Sequence, residues 1–400
     1  MNILLLGNGF DLYHKLPTRY DNFLHTVDFL IKNYKPDIQS VADVFNELAV
    51  GKENHFIFEC YLQHKHAYEN TKLEKEKIDE LIELTQNNIW FSYLYQSFNK
   101  EVGWIDLERE IAFVLDSFKE FFSSPHLQFN IAKKMPSIGY RYVIEQFDFF
   151  IEPIKSTGMV NGPTHKVKPE YIITIPINSK NILIDKEKII FELSKKLDDL
   201  TMALRLYLQY FVENTLEEIK QNSLSKCSAL DYIENTITFN YTNTYEKCYF
   251  LNDTFHLHGN ISEKIILGIN PDISDNLESI DTSFVKFKKY FQRADFETDK
   301  KYNRWLSLLD EKDVCCLIVM GHSLDITDKD IIVPLFRKMN EITILYHSSA
   351  AKKDYIKNLI QMFGMEEFEE LRTQRSLSFL PLDIDFTDFK LRLSRTWSML

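Results

Sequence analysis

The sequence lacks paired cysteines at metal-binding spacing. Its cysteines are Cys60, Cys227, Cys248, Cys315 and Cys316. No two of them form a C-x-x-C pair, which excludes a zinc ribbon and gives no reason to expect a metal. An odd and unpatterned set of this kind is typical of reduced thiols, so we expect a cytoplasmic protein.

Long hydrophobic runs and an excess of positive charge are missing as well. The apolar stretch that precedes Gly7 covers only about five residues, too short for a signal peptide and far below the roughly 20 residues of a membrane-spanning helix. With 47 Lys and Arg against 59 Asp and Glu, the formal net charge is −12. We therefore expect neither a membrane nor a nucleic acid as partner.

Aromatic side chains are abundant, whereas the residues of flexible linkers are scarce. The chain has 31 Phe and 20 Tyr but only 11 Gly and 11 Pro. Such a composition favours packed helices and strands over linkers. At 400 residues, the chain is long enough for one large domain with insertions or for two domains.

Apolar runs of strand length alternate with helical patterns in the second half of the chain. We expect one mainly parallel sheet, and the strand-like runs cover residues 2–6, 236–241, 254–258, 265–269, 314–320 and 341–346. The first run is far from the others in sequence, and the pattern between them is mostly helical. The sequence thus predicts an α/β domain formed by residues 1–20 and 236–400, interrupted by a mostly helical insertion at 21–235.

The first strand runs into a glycine-containing turn. Gly7 and Gly9 flank Asn8 in the sequence GNGFD. Two glycines let the backbone approach a ligand closely, and backbone amides at such a turn suit a phosphate. The spacing is not G-x-G-x-x-G, so a tight turn without any ligand is an equally good interpretation.

Polar residues follow three further strands. Asn240 ends one predicted strand, His258 ends the next, and Gly321 with Ser323 follows a third. Because strands of a parallel sheet present their carboxyl ends at one edge, these residues can converge on a pocket. A histidine there is a candidate general base, since its pKa lies near neutrality. Taken singly, Asn240 is as readily a turn residue and His258 a structural histidine.

Several sequence blocks, in this order, resemble the AbiH family of abortive-infection proteins. They are GNGFDLYHKLPTRYDNFL, WIDLE, FNYTNTYE, HLHGN and GHSLDITDKDI. The same blocks resemble those of sirtuin-like NAD-binding domains. The resemblance therefore implies a sirtuin-like, Rossmann-type sheet and a role in antiviral defence, with NAD as substrate or ligand.

The resemblance also implies roles for individual residues. Asn240 and His258 match the catalytic residues of sirtuin-like proteins. The residues matched to nucleotide binding are Gly7, Asn8, Gly9, Asp11, Thr242, Gly259, Gly321 and Ser323. Two departures matter. Thr242 stands where sirtuin-like sequences usually carry Asp, and the four-cysteine zinc module of protein deacylases is missing, so peptide deacylation is not expected.

The WIDLE block contributes Trp104, Asp106 and Glu108. Asp106 can cap the helical run that follows, with Trp104 packed beneath it. Alternatively, the two carboxylates line the pocket. In a helix, residues two apart do not share a face, so a two-carboxylate metal site would need a loop or a strand here.

Three functions remain open. The first is an NAD(P) glycohydrolase that cleaves the nicotinamide–ribose bond and arrests the infected cell. The second is a nucleotide-sensing switch without turnover, whose helical insertion engages a phage or host protein; a homo-oligomer is compatible with either. The third is a ribonuclease, for which the spacing of Arg19 and His25 is the weak argument.

Overall fold

Short runs of buried apolar residues form a parallel sheet at the centre of the fold. The computed structural model describes residues 1–35, 38–50, 55–98, 107–123, 128–130, 147, 149–151, 164–173, 183–222, 233–249, 254–270, 282–309 and 314–382. Its strands are β1 (Asn2–Leu6), β2 (Gln128–Asn130), β3 (Phe150–Ile151), β4 (Thr164–Val167), β5 (Ile172–Ile173), β6 (Leu183–Ile184), β7 (Asn235–Thr238), β8 (Thr254–His256), β9 (Cys316–Met320), β10 (Glu341–Tyr346) and β11 (Ser378–Pro381).

Helices make up most of the remaining described chain. The α-helices are α1 (Asn8–Tyr13), α2 (Tyr20–Asn33), α3 (Val41–Ala49), α4 (His55–Asn70), α5 (Lys75–Gln86), α6 (Ile89–Phe98), α7 (Leu107–Ser123), α8 (Lys186–Tyr207), α9 (Leu216–Asn222), α10 (Thr244–Tyr249), α11 (Lys289–Phe296), α12 (Lys300–Leu308), α13 (Lys329–Lys338) and α14 (Ser349–Gln374). Tighter 3₁₀ turns cover Pro169–Tyr171, Glu213–Thr215, Thr282–Phe287 and Ile326–Asp328, and a π-turn covers Leu208–Val212.

The central sheet has six parallel strands in the order β11-β10-β9-β1-β7-β8. Numbered along the chain and read from β8, this is the order 3-2-1-4-5-6 of doubly wound α/β sheets. Every residue of β1 and β9 is buried, which explains their continuous apolar sequences. The strand order reverses between β1 and β9, and in such sheets the crevice at this reversal is the usual place for a ligand.

The helices between α1 and β7 pack around a second apolar core. Helix α8 is central to it: the Leu193 carbonyl accepts a hydrogen bond of 2.9 Å from the indole of the fully buried Trp90. At the other end of α8, the Tyr207 hydroxyl donates to the Pro17 carbonyl at 2.7 Å. This last contact ties the helical segment to the loop that follows α1. The described chain is therefore α/β, with a mainly parallel sheet and a large helical part.

Two features of the sheet differ from the sequence-based expectation. Residues 265–269 are not a strand of the sheet; they form isolated bridges from Ile265 to Gly259 and from Ile269 to Lys288. Their apolar side chains are buried against the helical core instead, and periodicity alone does not distinguish the two settings. Conversely, β11 pairs with β10 although its short sequence gave no strand signal.

The loop after β1 and the turn after β9 touch through their backbones. The amide of Gly9 donates to the Gly321 carbonyl at 2.8 Å, and the amide of Gly7 donates to the Met320 carbonyl at 3.2 Å. Gly321 has a φ of +72°, and a Cβ atom on it would lie 2.2 Å from the Phe10 nitrogen. Glycine is thus required here both by conformation and by space.

We expect Gly321→Ala to lower the free energy of unfolding by roughly 2–6 kcal/mol, since positive-φ strain and forced backbone movement each cost about 1–3 kcal/mol. Gly364→Ala is the matched control. Gly364 has a φ of +78°, but no atom of the described residues lies within 4 Å of its added Cβ, so only the backbone strain acts at this position. Denaturant unfolding of the two variants measures the difference. Equal destabilisation would show that the two loops can separate without cost.

Candidate active site

A cavity of about 350 Å³ opens at the carboxyl ends of β1, β7 and β9. The residues matched to a nucleotide site that line it are Gly7, Asn8, Gly9, Asp11, Asn240, Thr242, His258, Gly321 and Ser323. Gly259 is not part of the lining. Its φ of +74° turns the chain after His258, and a Cβ there would overlap the Lys264 carbonyl. Residues more than 300 positions apart in sequence thus share one cavity.

The glycine amides of the first loop are engaged within the protein. Since Gly7 and Gly9 donate to the turn after β9, their amides are not directed at a ligand, contrary to the simplest interpretation of the turn. Asn8 remains on the cavity wall, with its Oδ1 accepting a hydrogen bond of 2.6 Å from the Thr18 hydroxyl. The guanidinium-bearing Arg19 also lines the cavity.

Asp11 is a buried carboxyl on the cavity wall, with a side chain that is only 1% exposed. Its Oδ2 accepts a hydrogen bond of 2.6 Å from the Thr242 hydroxyl, whereas its Oδ1 has no partner within the described chain. Burial raises the pKa of Asp11 to about 7, and the carboxylates of Glu213 and Glu246 act in the same direction. Asp11 therefore titrates in the physiological range.

The departure at position 242 has a local explanation. Thr242 donates to Asp11, and the Thr244 hydroxyl in turn lies 3.1 Å from that of Thr242. An aspartate at 242 would set a second carboxylate against the buried Asp11, which like-charge repulsion disfavours. Threonine is thus the residue type that fits this environment.

Asn240 and His258 line the same cavity. Asn240 is 7% exposed and His258 is 5% exposed, and neither Asn240 Oδ1 nor His258 Nε2 makes a well-formed hydrogen bond within the described chain. The His258 ring stands edge-on to Phe239 at 5.0 Å. Burial lowers the pKa of His258 to about 4, and the nearby Lys289 ammonium adds to this effect. His258 is therefore neutral at physiological pH.

A cluster of charges that the sequence did not indicate lies beside His258. Asp328 is its centre: Oδ1 lies 3.5 Å from His258 Nε2 and 3.1 Å from Lys289 Nζ, and Oδ2 lies 3.4 Å from His322 Nε2. Lys289, only 1% exposed, also pairs with Glu108 at 2.7 Å. We call these five residues the Asp328 cluster.

The protonation of the Asp328 cluster follows from its contacts. Burial alone raises the pKa of Asp328, but the Lys289 ammonium and the two imidazoles outweigh it and hold that pKa well below its usual range. Conversely, Asp328 and Glu108 raise the pKa of Lys289 against the effect of its own burial. The Leu324 amide donates to His322 Nδ1 at 3.0 Å, so in the neutral ring the proton sits on Nε2, toward Asp328.

The remaining candidate residues fall into three groups. Glu108 lines the cavity and belongs to α7, while Trp104 and Asp106 lie outside the described residues. His25 is buried, with its ring 4.8 Å from that of Phe98, and it does not line the cavity with Arg19. The Arg19 and His25 pair therefore does not form a joint site.

The described ranges contain neither a metal site nor a membrane-spanning helix. They contain no group of three or more His, Cys, Asp or Glu side chains arranged to hold a metal ion. Within them, too, no helix combines the length and apolar character that crossing a membrane requires. Four buried cysteines lie in these ranges and form no disulfide there, namely Cys60, Cys248, Cys315 and Cys316.

We expect Lys289→Met to lower the free energy of unfolding by about 3–5 kcal/mol, because it leaves Asp328 buried without its cation. Adding Asp328→Asn should recover part of this loss by removing the uncompensated charge. Lys300→Met serves as control, since Lys300 pairs with Glu297 at the surface, where little change is expected. Urea unfolding measures all three. A Lys289→Met variant as stable as Lys300→Met would disprove the buried ion pair.

Comparison with known proteins gives one family and no close relative. Residues 3–347 match the sequence model of the family described as Bacteriophage abortive infection AbiH. No curated protein and no solved structure matches the chain. The matched region covers most of the 400 residues and spans the sheet from β1 to β10 together with every residue of the cavity. The chain therefore belongs to the AbiH family of bacteriophage abortive-infection proteins.

Proposed function

We propose that this protein acts in phage defence by cleaving the bond between nicotinamide and ribose in NAD or a related nucleotide, in a sirtuin-like pocket. One observation carries the proposal. Asn240 Oδ1 is buried without a hydrogen-bond partner in the described chain, and Asn240 and His258 line one cavity where the strand order of the sheet reverses. A buried polar atom left without a partner costs about 1–3 kcal/mol, so such atoms usually serve a ligand or a water.

The size and charge of the cavity are compatible with part of a nucleotide. Its volume of about 350 Å³ lies at the lower end of the roughly 300–1,000 Å³ of small-molecule sites. Arg19 supplies a guanidinium, a group whose planar fork matches phosphate oxygens. In this proposal Arg19 and Asn8 take over the phosphate contacts that the glycine amides cannot make.

The neutral state of His258 suits hydrolysis at ribose. Cleavage builds positive charge at the anomeric carbon, and a neutral imidazole accepts a hydrogen bond from an attacking water without opposing that charge. Asn240 can hold a ribose hydroxyl or the water through its amide. Asp328 lies close enough to His258 to fix the ring, as a carboxylate does for other catalytic histidines.

A nucleotide-sensing switch is the second candidate, and one contact favours it. Glu108 belongs to α7 of the helical part, yet it pairs with Lys289, which pairs with Asp328 beside the cavity. A ligand that changes this charge cluster can therefore shift the helical part, and a phage or host protein bound to the helices can act back on the cavity.

Nicotinamide release from NAD, followed by chromatography, tests the enzyme proposal. We expect His258→Ala to reduce turnover by about 10²-fold or more, because the attacking water loses the imidazole that holds it in position. His66→Ala, at an exposed position outside the cavity, should leave turnover unchanged. Circular dichroism must first show that both variants are folded.

Each alternative outcome has a defined meaning. NAD binding by calorimetry without any release, even with phage lysate present, would favour the sensor. Full protection of infected cells by His258→Ala would likewise exclude catalysis by this residue. Cleavage of added RNA instead of NAD would support the ribonuclease.

A further inference from the structure

We propose that Asp11 is the catalytic base of this cavity and takes the proton of the water that attacks ribose, while His258 orients that water. The proposal deepens the function proposed above and rests on it. The resemblance to sirtuin-like domains implies only a nucleotide-binding role for Asp11 and assigns catalysis to Asn240 and His258. The contacts of Asp11 instead support a catalytic role for its carboxyl.

The Asp11 carboxyl is fixed at one oxygen, while its other oxygen is buried without a partner in the described chain. Thr242 holds Oδ2 at 2.6 Å, and the Thr244 hydroxyl supports Thr242 at 3.1 Å. Oδ1 has no partner in the described chain, although Asp11 is 1% exposed and lines the cavity. A carboxyl held in this way is pre-oriented, and its unpartnered oxygen is the atom that a bound water would satisfy.

Burial raises the pKa of the Asp11 carboxyl to about 7, and two nearby carboxylates act in the same direction. Behind it, Glu213 pairs with Lys247 at 3.2 Å and Glu246 pairs with His256 at 2.6 Å. The other charged or titratable residues on the cavity wall are Arg19, Tyr20, Glu108, Tyr241, His258, His322, Asp325 and Asp328. A base works best when its pKa lies near the working pH. The pKa of Asp11, at about 7, meets this condition, whereas that of His258, at about 4, leaves a weak base.

The proposed step balances without a further reactant. The water oxygen forms a bond to the anomeric carbon of the nicotinamide ribose, and one water proton passes to Asp11 Oδ1. The bond from that carbon to the nicotinamide nitrogen breaks, and its electron pair neutralises the positively charged ring. Nicotinamide thus leaves without needing a proton, and Asp11 later releases its proton to solvent. The products are nicotinamide, ADP-ribose and one proton.

The pH dependence of nicotinamide release from NAD by the full chain tests this assignment. With Asp11 as base, kcat should rise about tenfold per pH unit below pH 7 and level off above it. With His258 as base, it should already be level above about pH 5, given a pKa of about 4. We expect Asp11→Asn to lower kcat at pH 8 by about 10²–10⁴-fold, with little change in KM.

Two threonine variants keep the carboxyl and separate a catalytic role from a structural one. Thr242→Val removes the donor that stabilises the ionised form, so the midpoint of the pH profile should move to higher pH. Thr236→Val is the matched control: Thr236 is a buried threonine whose hydroxyl has no partner in the described chain, and it does not line the cavity. Its midpoint should stay where the wild-type midpoint lies.

Stability gives a readout that does not need turnover. Because the pKa of Asp11 is raised by folding, the protonated carboxyl favours the folded state. Its contribution is complete below pH 4 and is lost as the pH rises through about 7. The melting temperature of the wild type should therefore fall over this interval relative to Asp11→Asn, which resembles the protonated carboxyl.

The outcomes separate the two proposals. Two results overturn the role of Asp11 and leave NAD cleavage standing. One is a kcat for nicotinamide release that stays constant between pH 6 and 8. The other is a kcat of Asp11→Asn within about tenfold of the wild-type value. An unchanged midpoint in Thr242→Val also overturns this role. No release by the wild type at any pH overturns the proposed function and, with it, the base, even where the melting curves show that Asp11 titrates near pH 7.

Discussion

The backbone contact between the loop after β1 and the turn after β9 is the constraint on which the site depends. It joins the two halves of the sheet where the strand order reverses, and it leaves no space for a Cβ on either side. Because Gly9 donates to Gly321, the short helix α1 starts in a fixed position and carries Asp11 into the cavity. The same turn delivers His322 and the segment that ends in Asp328. The glycines thus shape the cavity by holding the two loops together, and they do not contact a ligand through their own amides.

Two buried carboxyls in this one cavity have opposite environments. Asp328 faces an ammonium and two imidazoles, so its pKa lies well below the usual range and it stays ionised. Asp11 faces hydroxyls and lies near two further carboxylates, so its pKa rises to about 7. Carboxyls whose pKa values are pushed apart in this way commonly divide the work, one as a fixed charge and one as a proton carrier. The division follows from where each carboxyl lies: α1 places Asp11 beside the hydroxyls of Thr242 and Thr244, which follow β7, whereas the segment after β9 places Asp328 beside Lys289.

Much of the sheet was predictable from the sequence. Strands buried on both faces require apolar runs, which are visible at β1 and β9, whereas β7, β8 and β10 show the β-branched and aromatic residues that strands favour. The run at residues 265–269 has the same character, yet it packs on the helical core; apolar composition reports burial, not hydrogen-bond partners. Asn240 and His258 were recognisable because they end strands. Asp328 and Lys289 were not, since each lies several residues into a loop or at a helix start, and only the folded chain sets them 3.1 Å apart. A carboxylate after a buried strand, as in the block GHSLDITDKD, was the available signal.

The position of Lys289 also explains how the helical part belongs to the site. An ammonium that is 1% exposed needs at least one carboxylate, and Asp328 alone would suffice to offset its charge. The second carboxylate, Glu108, comes from α7 across the boundary between the two cores. With Glu108 present, the Lys289 ammonium pairs with two carboxylates. The Asp328 cluster is therefore completed by a residue of the helical part and not by one of the sheet. A movement of α7 away from the cavity takes the Glu108 carboxylate away from Lys289. The Lys289 ammonium then interacts more strongly with Asp328. The helical part is therefore an electrostatic component of the site, because the charges beside His258 depend on the position of α7.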